Sequence, residues 1–99
     1  EAFLKFVSDN VRLPEDVPAT PDKAHIRCSL VVLKDGRISD VKVVRGVDPF
    51  LDAEAVRVLQ SMPRWEPGKE QGQNVNVRVS VLVIIDMMTA TRTAINGRN

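Results

Sequence analysis

Residues 34–69 read KDGRISDVKVVRGVDPFLDAEAVRVLQSMPRWEPGK, and this stretch decides the fold of the chain. Asp35-Gly36 supplies the positive-φ positions that a tight hairpin turn needs, so the segments on either side are predicted to be antiparallel strands. Asp48-Pro49 begins a helix, because a carboxylate can accept from free amide groups and proline lacks only an N–H that would be unpaired there. Pro63 ends that helix, and Trp65 follows, where a large ring is expected to close one end of the core.

Three segments have the two-residue alternation of apolar and polar residues that is typical of strands. The first covers residues 24–32, and the second runs from about residue 38 to 44. Because Ile38 lies three residues from Val41, the second strand needs a bulge or a late start to bury both. Residues 75–85 form the longest alternating run and are predicted to be the third strand.

Two helices are predicted from apolar residues at spacings of three and four. The first covers residues 1–11 and places Phe3, Phe6 and Val7 on one face. The stripe of the second helix consists of Leu51, Ala55, Val58, Leu59 and Met62. Three prolines within residues 13–23 remove N–H donors and fix φ, so this Pro-rich segment is predicted to be an extended connection.

The order of these elements predicts an α+β domain with a three-stranded antiparallel sheet and two helices on one face. The second helix carries the chain across the sheet, so the third strand can lie on the far side of the first. The strand order is therefore predicted to be 2-1-3. The third strand is then an edge, and an unpaired row of N–H and C=O groups invites another chain to pair with it. Either the tail covers this edge or a partner uses it.

Composition and charge argue against several classes of protein. The 99 residues are 43% hydrophobic and 27% charged with a net charge of +1, so no broad field for nucleic acid exists. Cys28 is the only cysteine, faces the inner side of its strand and is expected in the core. His25 faces outward without other ligands, so neither a metal nor a cofactor is predicted.

No catalytic constellation is visible either. Asp48, Asp52 and Glu54 lie at a helix start, where capping and interaction with the helix dipole explain them. An acylphosphatase-like enzyme would need a phosphate-binding loop, and the chain has none. An RNA-binding sheet would need stacking aromatics on its strands, and the aromatic residues lie outside them. We therefore predict a binding domain and no enzyme. Arg78 is expected to be solvated or to contact an acidic partner residue.

The order of motifs in this chain resembles that of the C-terminal domain of TonB proteins. The motifs are Asp35-Gly36-Arg37-Ile38, a Val-rich strand, Asp48-Pro49, the second helix, Trp65-Glu66-Pro67-Gly68-Lys69 and a Val-alternating strand. The likeness spans about residues 3–85. It implies a non-enzymatic periplasmic module that transmits proton-motive energy from an ExbB–ExbD motor to outer-membrane transporters.

In that family a short extended peptide of the transporter, the TonB box, adds to the edge of the last strand. The residues of this strand that the resemblance assigns to peptide binding are Val75, Asn76, Val77, Arg78, Val79, Ser80, Val81, Leu82 and Val83. It also places Arg12, Leu13 and Pro14 near the bound peptide, with Leu13 where the family usually has tyrosine.

The resemblance also sets expectations about the rest of the protein. Residues 1–86 are expected to form the TonB-like domain, and residues 87–99 a tail of undecided structure. Because the chain begins at Glu1 in an amphipathic pattern, we expect a piece of a longer protein whose absent N-terminal part anchors it to the inner membrane. A monomer and a strand-swapped dimer both stay open. So does a second role, as a docking or sensor domain of another membrane-anchored signalling protein.

Overall fold

The computed structural model describes residues 2–93, which form two helices and seven strands. In chain order the elements are α1 (Ala2–Asn10), β1 (Arg12–Pro14), β2 (Lys23–Val32), β3 (Ile38–Arg45), α2 (Pro49–Gln60), β4 (Gly68–Glu70), β5 (Gln73–Val75), β6 (Val77–Asp86) and β7 (Thr91–Thr93). In this part of the chain neither helix is long and apolar enough to cross a membrane.

The main sheet has three antiparallel strands in the order β3-β2-β6. This confirms the predicted order 2-1-3. The central strand β2 pairs with β6 over ten residues without a register shift, from Lys23 opposite Asp86 to Val32 opposite Val77. The helix α2 joins β3 to β6 across the sheet, so both outer strands run antiparallel to β2.

The core lies between one face of the sheet and the two helices. Alternate residues of β2 face inward and are buried, while His25 and Arg27 between them are exposed. The buried residues of the sheet and helices include Val7, Ile26, Cys28, Leu30, Leu51, Ala55, Val58, Leu59, Val83 and Ile85. Cys28 is a core residue as predicted, and its burial raises the pKa of the thiol above the ordinary value.

β3 contains a bulge, one of the two arrangements predicted from its sequence. The register with β2 shifts between Ser29 and Val31, and Asp40 has a φ of 53°. The extra residue lets Ile38 and Val41 both pack against the core. A second register shift lies between Arg27 and Cys28 of β2, so the pairing of β3 is irregular in two places.

The start of α2 is capped as the sequence predicts. Asp48 has an extended backbone, and its Oδ1 accepts a hydrogen bond of 2.9 Å from the N–H of Leu51. Asp52 adds a bond that the sequence did not reveal: its carboxylate accepts from the N–H of Val47 at 3.0 Å. These two bonds fix the path by which the chain enters the helix.

Three local predictions were incomplete. The strand expected over residues 75–85 is interrupted at Asn76, whose Oδ1 accepts from the N–H of Lys34 at 2.8 Å. Val75 therefore belongs to a small hairpin formed by β4 and β5, which was not predicted. The tail adds β7, which pairs in parallel with β1. Tail residues 94–99 lie outside the described residues.

Replacing Gly36 with alanine is expected to destabilise the domain by about 2 kcal/mol. Gly36 has a φ of 90°, and a Cβ atom there would lie 2.6 Å from the carbonyl oxygen of Trp65. The N–H of Trp65 donates a hydrogen bond of 2.8 Å to the carbonyl oxygen of Gly36, and this bond, which joins the hairpin to Trp65, would be strained. Urea unfolding followed by circular dichroism checks this, and Gly72→Ala is the control, because a Cβ there meets no atom within 4 Å.

Candidate functional site

The two edges of the main sheet differ in regularity. β3 forms one edge and carries both register shifts. β6 forms the other edge, and within residues 2–93 no strand pairs with its outer side. Bulges blunt an edge against further pairing, whereas a long regular edge is a template for another strand. The outer edge of β6 is therefore the part of the sheet best suited to receive an extended chain.

The side chains of β6 present a different surface on each face of the sheet. Val77, Val79 and Val81 face the helices and are only half-buried, in contrast to the fully buried Val83. Part of the apolar area of these valines is therefore exposed, and side chains of an added strand would cover some of it. On the open face, turned away from the helices, Ser80 is exposed and Leu82 is half-buried.

Arg78 connects all three strands on the open face. Its Nη1 donates to the hydroxyl of Ser29 on β2 at 2.6 Å, and its Nη2 forms a short ion pair with Asp40 on β3. Lys42 lies 3.7 Å from the same carboxylate. The hydrogen bond from Arg78, followed by the positive charge of Lys42, lowers the pKa of Asp40. Arg78 is therefore bound within the domain. The sequence had instead suggested that it is solvated or contacts an acidic partner residue.

Substituting Arg78 with glutamine is expected to raise the pKa of Asp40 back toward its ordinary value. Since the folded-state pKa lies below the unfolded one, the ion pair stabilises the fold above the unfolded pKa. That stabilisation is lost as the pH falls through the folded pKa. A carboxyl-carbon NMR titration measures the change, and Arg37→Gln serves as the control because Arg37 pairs with Asp35 instead. An unchanged titration of Asp40 in Arg78→Gln would contradict the pairing.

The structure places the second set of predicted site residues on β1, away from the β6 ladder. β1 pairs in parallel with β7, with Arg12 opposite Thr91 and Pro14 opposite Thr93. The side chain of Leu13 is only 1% exposed and is part of the core. Leu13 can therefore contact a ligand with little more than its backbone.

Polar contacts hold β1 against α2. The backbone N–H of Arg12 donates to Glu54 Oε2 at 2.6 Å, and Arg57 pairs with the same carboxylate at 2.6 Å. Arg57 also donates to the carbonyl oxygen of Asn10 at 2.6 Å. The pairing with Glu54 raises the pKa of Arg57. Glu54 thus joins α2 to β1, a role beyond the dipole interaction that the sequence indicated.

A groove lies between β1 and the outer face of α2. It has a volume of about 200 Å³, and its lining includes Pro14, Phe50 and Ala53. Phe50 is 57% exposed although it is a large apolar residue. Phe50 and Ala53 were not among the predicted site residues. Their position in α2 could have indicated that they are exposed, because both lie outside the buried stripe of Leu51 and Ala55.

Within residues 2–93 no three histidine, cysteine, aspartate or glutamate side chains come together as metal ligands. His25 is exposed, and its Nδ1 lies 3.3 Å from the carbonyl oxygen of Lys23. Cys28 is buried. The candidate site is the outer edge of β6 with its neighbouring side chains.

Comparisons with known proteins identify the family and support the fold. The model of the family described as Gram-negative bacterial TonB protein C-terminal matches residues 10–84. The NMR solution structure of the Helicobacter pylori TonB C-terminal domain, residues 194–285, has a similar fold with a TM-score of 0.58. The two chains are 19% identical, and the likeness covers 82% of this chain and 87% of that one. A search of curated proteins gave no match. Since the family model matches well over half of its residues, the chain belongs to the family of TonB C-terminal domains.

Proposed function

We propose that this domain binds the TonB box of outer-membrane transporters by β-strand addition to the outer edge of β6. In this way it would couple the proton-motive force of the inner membrane to substrate uptake. The family itself is periplasmic and non-enzymatic, and membership implies a TonB-like role in energy transduction through interaction with outer-membrane transporters. The finer proposal rests on one observation, the regular outer edge of β6, with which no strand pairs within residues 2–93.

Strand addition suits this edge for a backbone reason. Successive N–H and C=O groups of a strand point to opposite sides, so about half of those on β6 bond to β2 and the rest point outward. The outward groups form a row that an extended peptide can pair with over most of the ten residues. The half-buried Val77, Val79 and Val81 would add apolar contacts on the helix face.

This mode of binding also suits a pulling function. A strand held along its length shares load over several parallel hydrogen bonds, whereas one side-chain contact would carry it alone. In the proposal the domain is held to the inner membrane by a segment outside residues 1–99. It receives energy from an ExbB–ExbD complex through that segment. The domain acts as a monomer when the peptide occupies the edge, because a second copy would compete for the same backbone groups.

Backbone methylation of the ligand tests strand addition directly. We would measure, by isothermal titration calorimetry, the affinity of a synthetic transporter N-terminal peptide and of variants with one N-methyl group at each position in turn. Methyl groups at alternate positions are expected to reduce affinity about tenfold or more, because they remove N–H donors to β6. The intervening positions serve as matched controls. Equal tolerance of methylation at every position would rule out strand addition.

A further inference from the structure

A row of three residues crosses the open face of the sheet. Arg27 on β2 lies opposite Arg45 on β3 and, on its other side, opposite Leu82 on β6. Both arginines are exposed, and Leu82 is half-buried. The row therefore runs from two positive charges to an apolar residue at the edge where we propose that the peptide binds.

The two arginines form an uncompensated cross-strand pair. Like charges directly opposite each other destabilise a sheet. Five ion pairs occur among the described residues, and none of them includes Arg27 or Arg45. Arg78 on the same face, by contrast, is paired with Asp40. On the open face, Arg78 thus has a carboxylate partner. Arg27 and Arg45 face each other and have no carboxylate partner among the described residues.

We propose that Arg27 binds an acidic side chain of the peptide captured on β6. This inference rests on the proposed function and names a chemical preference of the same site. Neighbouring strands lie about 5 Å apart, so a peptide residue next to Leu82 would be about 10 Å from the backbone of Arg27. A long arginine side chain and a carboxylate side chain can meet over Leu82 across that distance.

The surroundings of Arg27 favour such a contact. Repulsion from Arg45 disfavours side-chain conformations of Arg27 that turn toward β3 and so favours those directed toward β6. Leu82 beneath the contact reduces access of water and strengthens a charge-assisted hydrogen bond. The neighbouring carboxylate on this face, Asp40, is already bound by Arg78 and Lys42 and does not compete. His25 precedes Arg27 on the same exposed side of β2 and adds no negative charge.

The expected ligand is an extended peptide with one acidic residue on the open-face side. Its residues opposite Val79 and Val81, which point toward the helices, are expected to be apolar because they would cover these half-buried side chains. The preference would be for charge at one position in the peptide and not for overall acidity. Salt is expected to weaken it, because the contact lies at the surface.

The test uses paired peptides that share one transporter N-terminal sequence and differ only by glutamate or glutamine at each position in turn. With the unmodified domain, one position should favour glutamate about threefold, as measured by calorimetry at low salt. Arg27→Gln should abolish that preference. Arg45→Glu should also abolish it, because a carboxylate at residue 45 would bind Arg27, and it should raise the melting temperature.

Lys69→Glu is the matched control for Arg45→Glu, since it makes the same change of charge on β4, outside the main sheet. It should leave the preference intact. Equal affinities for all glutamate and glutamine pairs, or a preference that persists in Arg27→Gln, would overturn the inference. If those peptides still perturb the β6 amides, the proposed function stands without it. Peptides that bind nowhere on β6 would overturn both.

Discussion

Replacing Trp65 with alanine is expected to lower the free energy of unfolding by about 3 kcal/mol. The ring packs against the core at the exit of α2, and it meets Phe3 edge to face with centroids 5.9 Å apart and planes at 74°. It therefore joins α1 to the connection that follows α2. Loss of so large a ring removes apolar contacts from both sides.

Two features place this loss of stability at the lower end of the range for removing a tryptophan ring that packs against a core. The indole Nε1 is buried and has no hydrogen-bond partner among the described residues, so its removal also relieves a desolvation cost. A groove of about 420 Å³ lined by Phe6, Met62 and Trp65 borders the ring, so packing there is incomplete. Urea unfolding measures the change. Trp65→Phe keeps an aromatic ring without the donor and should cost clearly less. A change near zero in Trp65→Ala would mean that the ring is not part of the core.

Proline at Ser80 or at Val81, whichever has its N–H at the outer edge of β6, is expected to reduce peptide affinity more than tenfold while the domain stays folded. Successive N–H groups of a strand face opposite edges, so one of Ser80 and Val81 donates to β2 and the other points outward. A proline at the outward position removes a donor to the peptide, and its ring blocks close approach of an added strand. A proline at the inward position breaks the ladder with β2 and should unfold the domain.

The comparison of Ser80→Pro with Val81→Pro separates binding from folding. Circular dichroism and thermal unfolding identify the folded variant, and calorimetry then gives its affinity for the transporter peptide. Ser80→Ala and Val81→Ala are the controls, since they change the side chains without removing an N–H. A folded proline variant that binds as tightly as the unmodified domain would contradict pairing at the outer edge of β6.

The main sheet could be predicted from the sequence because its causes are local. The Asp35-Gly36 turn fixes β2 and β3 as neighbours, and the capped helix returns the chain to the other side of β2. The bulge followed from the spacing of Ile38 and Val41. The interruption at Asn76 did not follow, because it depends on a bond to the N–H of Lys34, 42 positions away.

The site was predictable in outline only. Alternation over residues 75–85 indicated a long edge strand, but it gave no sign that Arg78 would bind Asp40. That pair joins β3 and β6 across the central strand β2, so it depends on how distant segments are placed in the sheet. The burial of Leu13 and the pairing of β1 with β7 likewise depend on how distant segments pack.

Amide hydrogen exchange along β6, measured by NMR with and without the transporter peptide, tests the central claim most directly. In the free domain, the N–H groups of Val77–Asp86 should alternate between slow exchange, where they pair with β2, and fast exchange at the outer edge. With the peptide bound, the fast groups should slow about tenfold or more while the slow ones change little. Protection that appears only in α1, α2 or the groove beside Phe50, with β6 unchanged, would contradict strand addition at this edge.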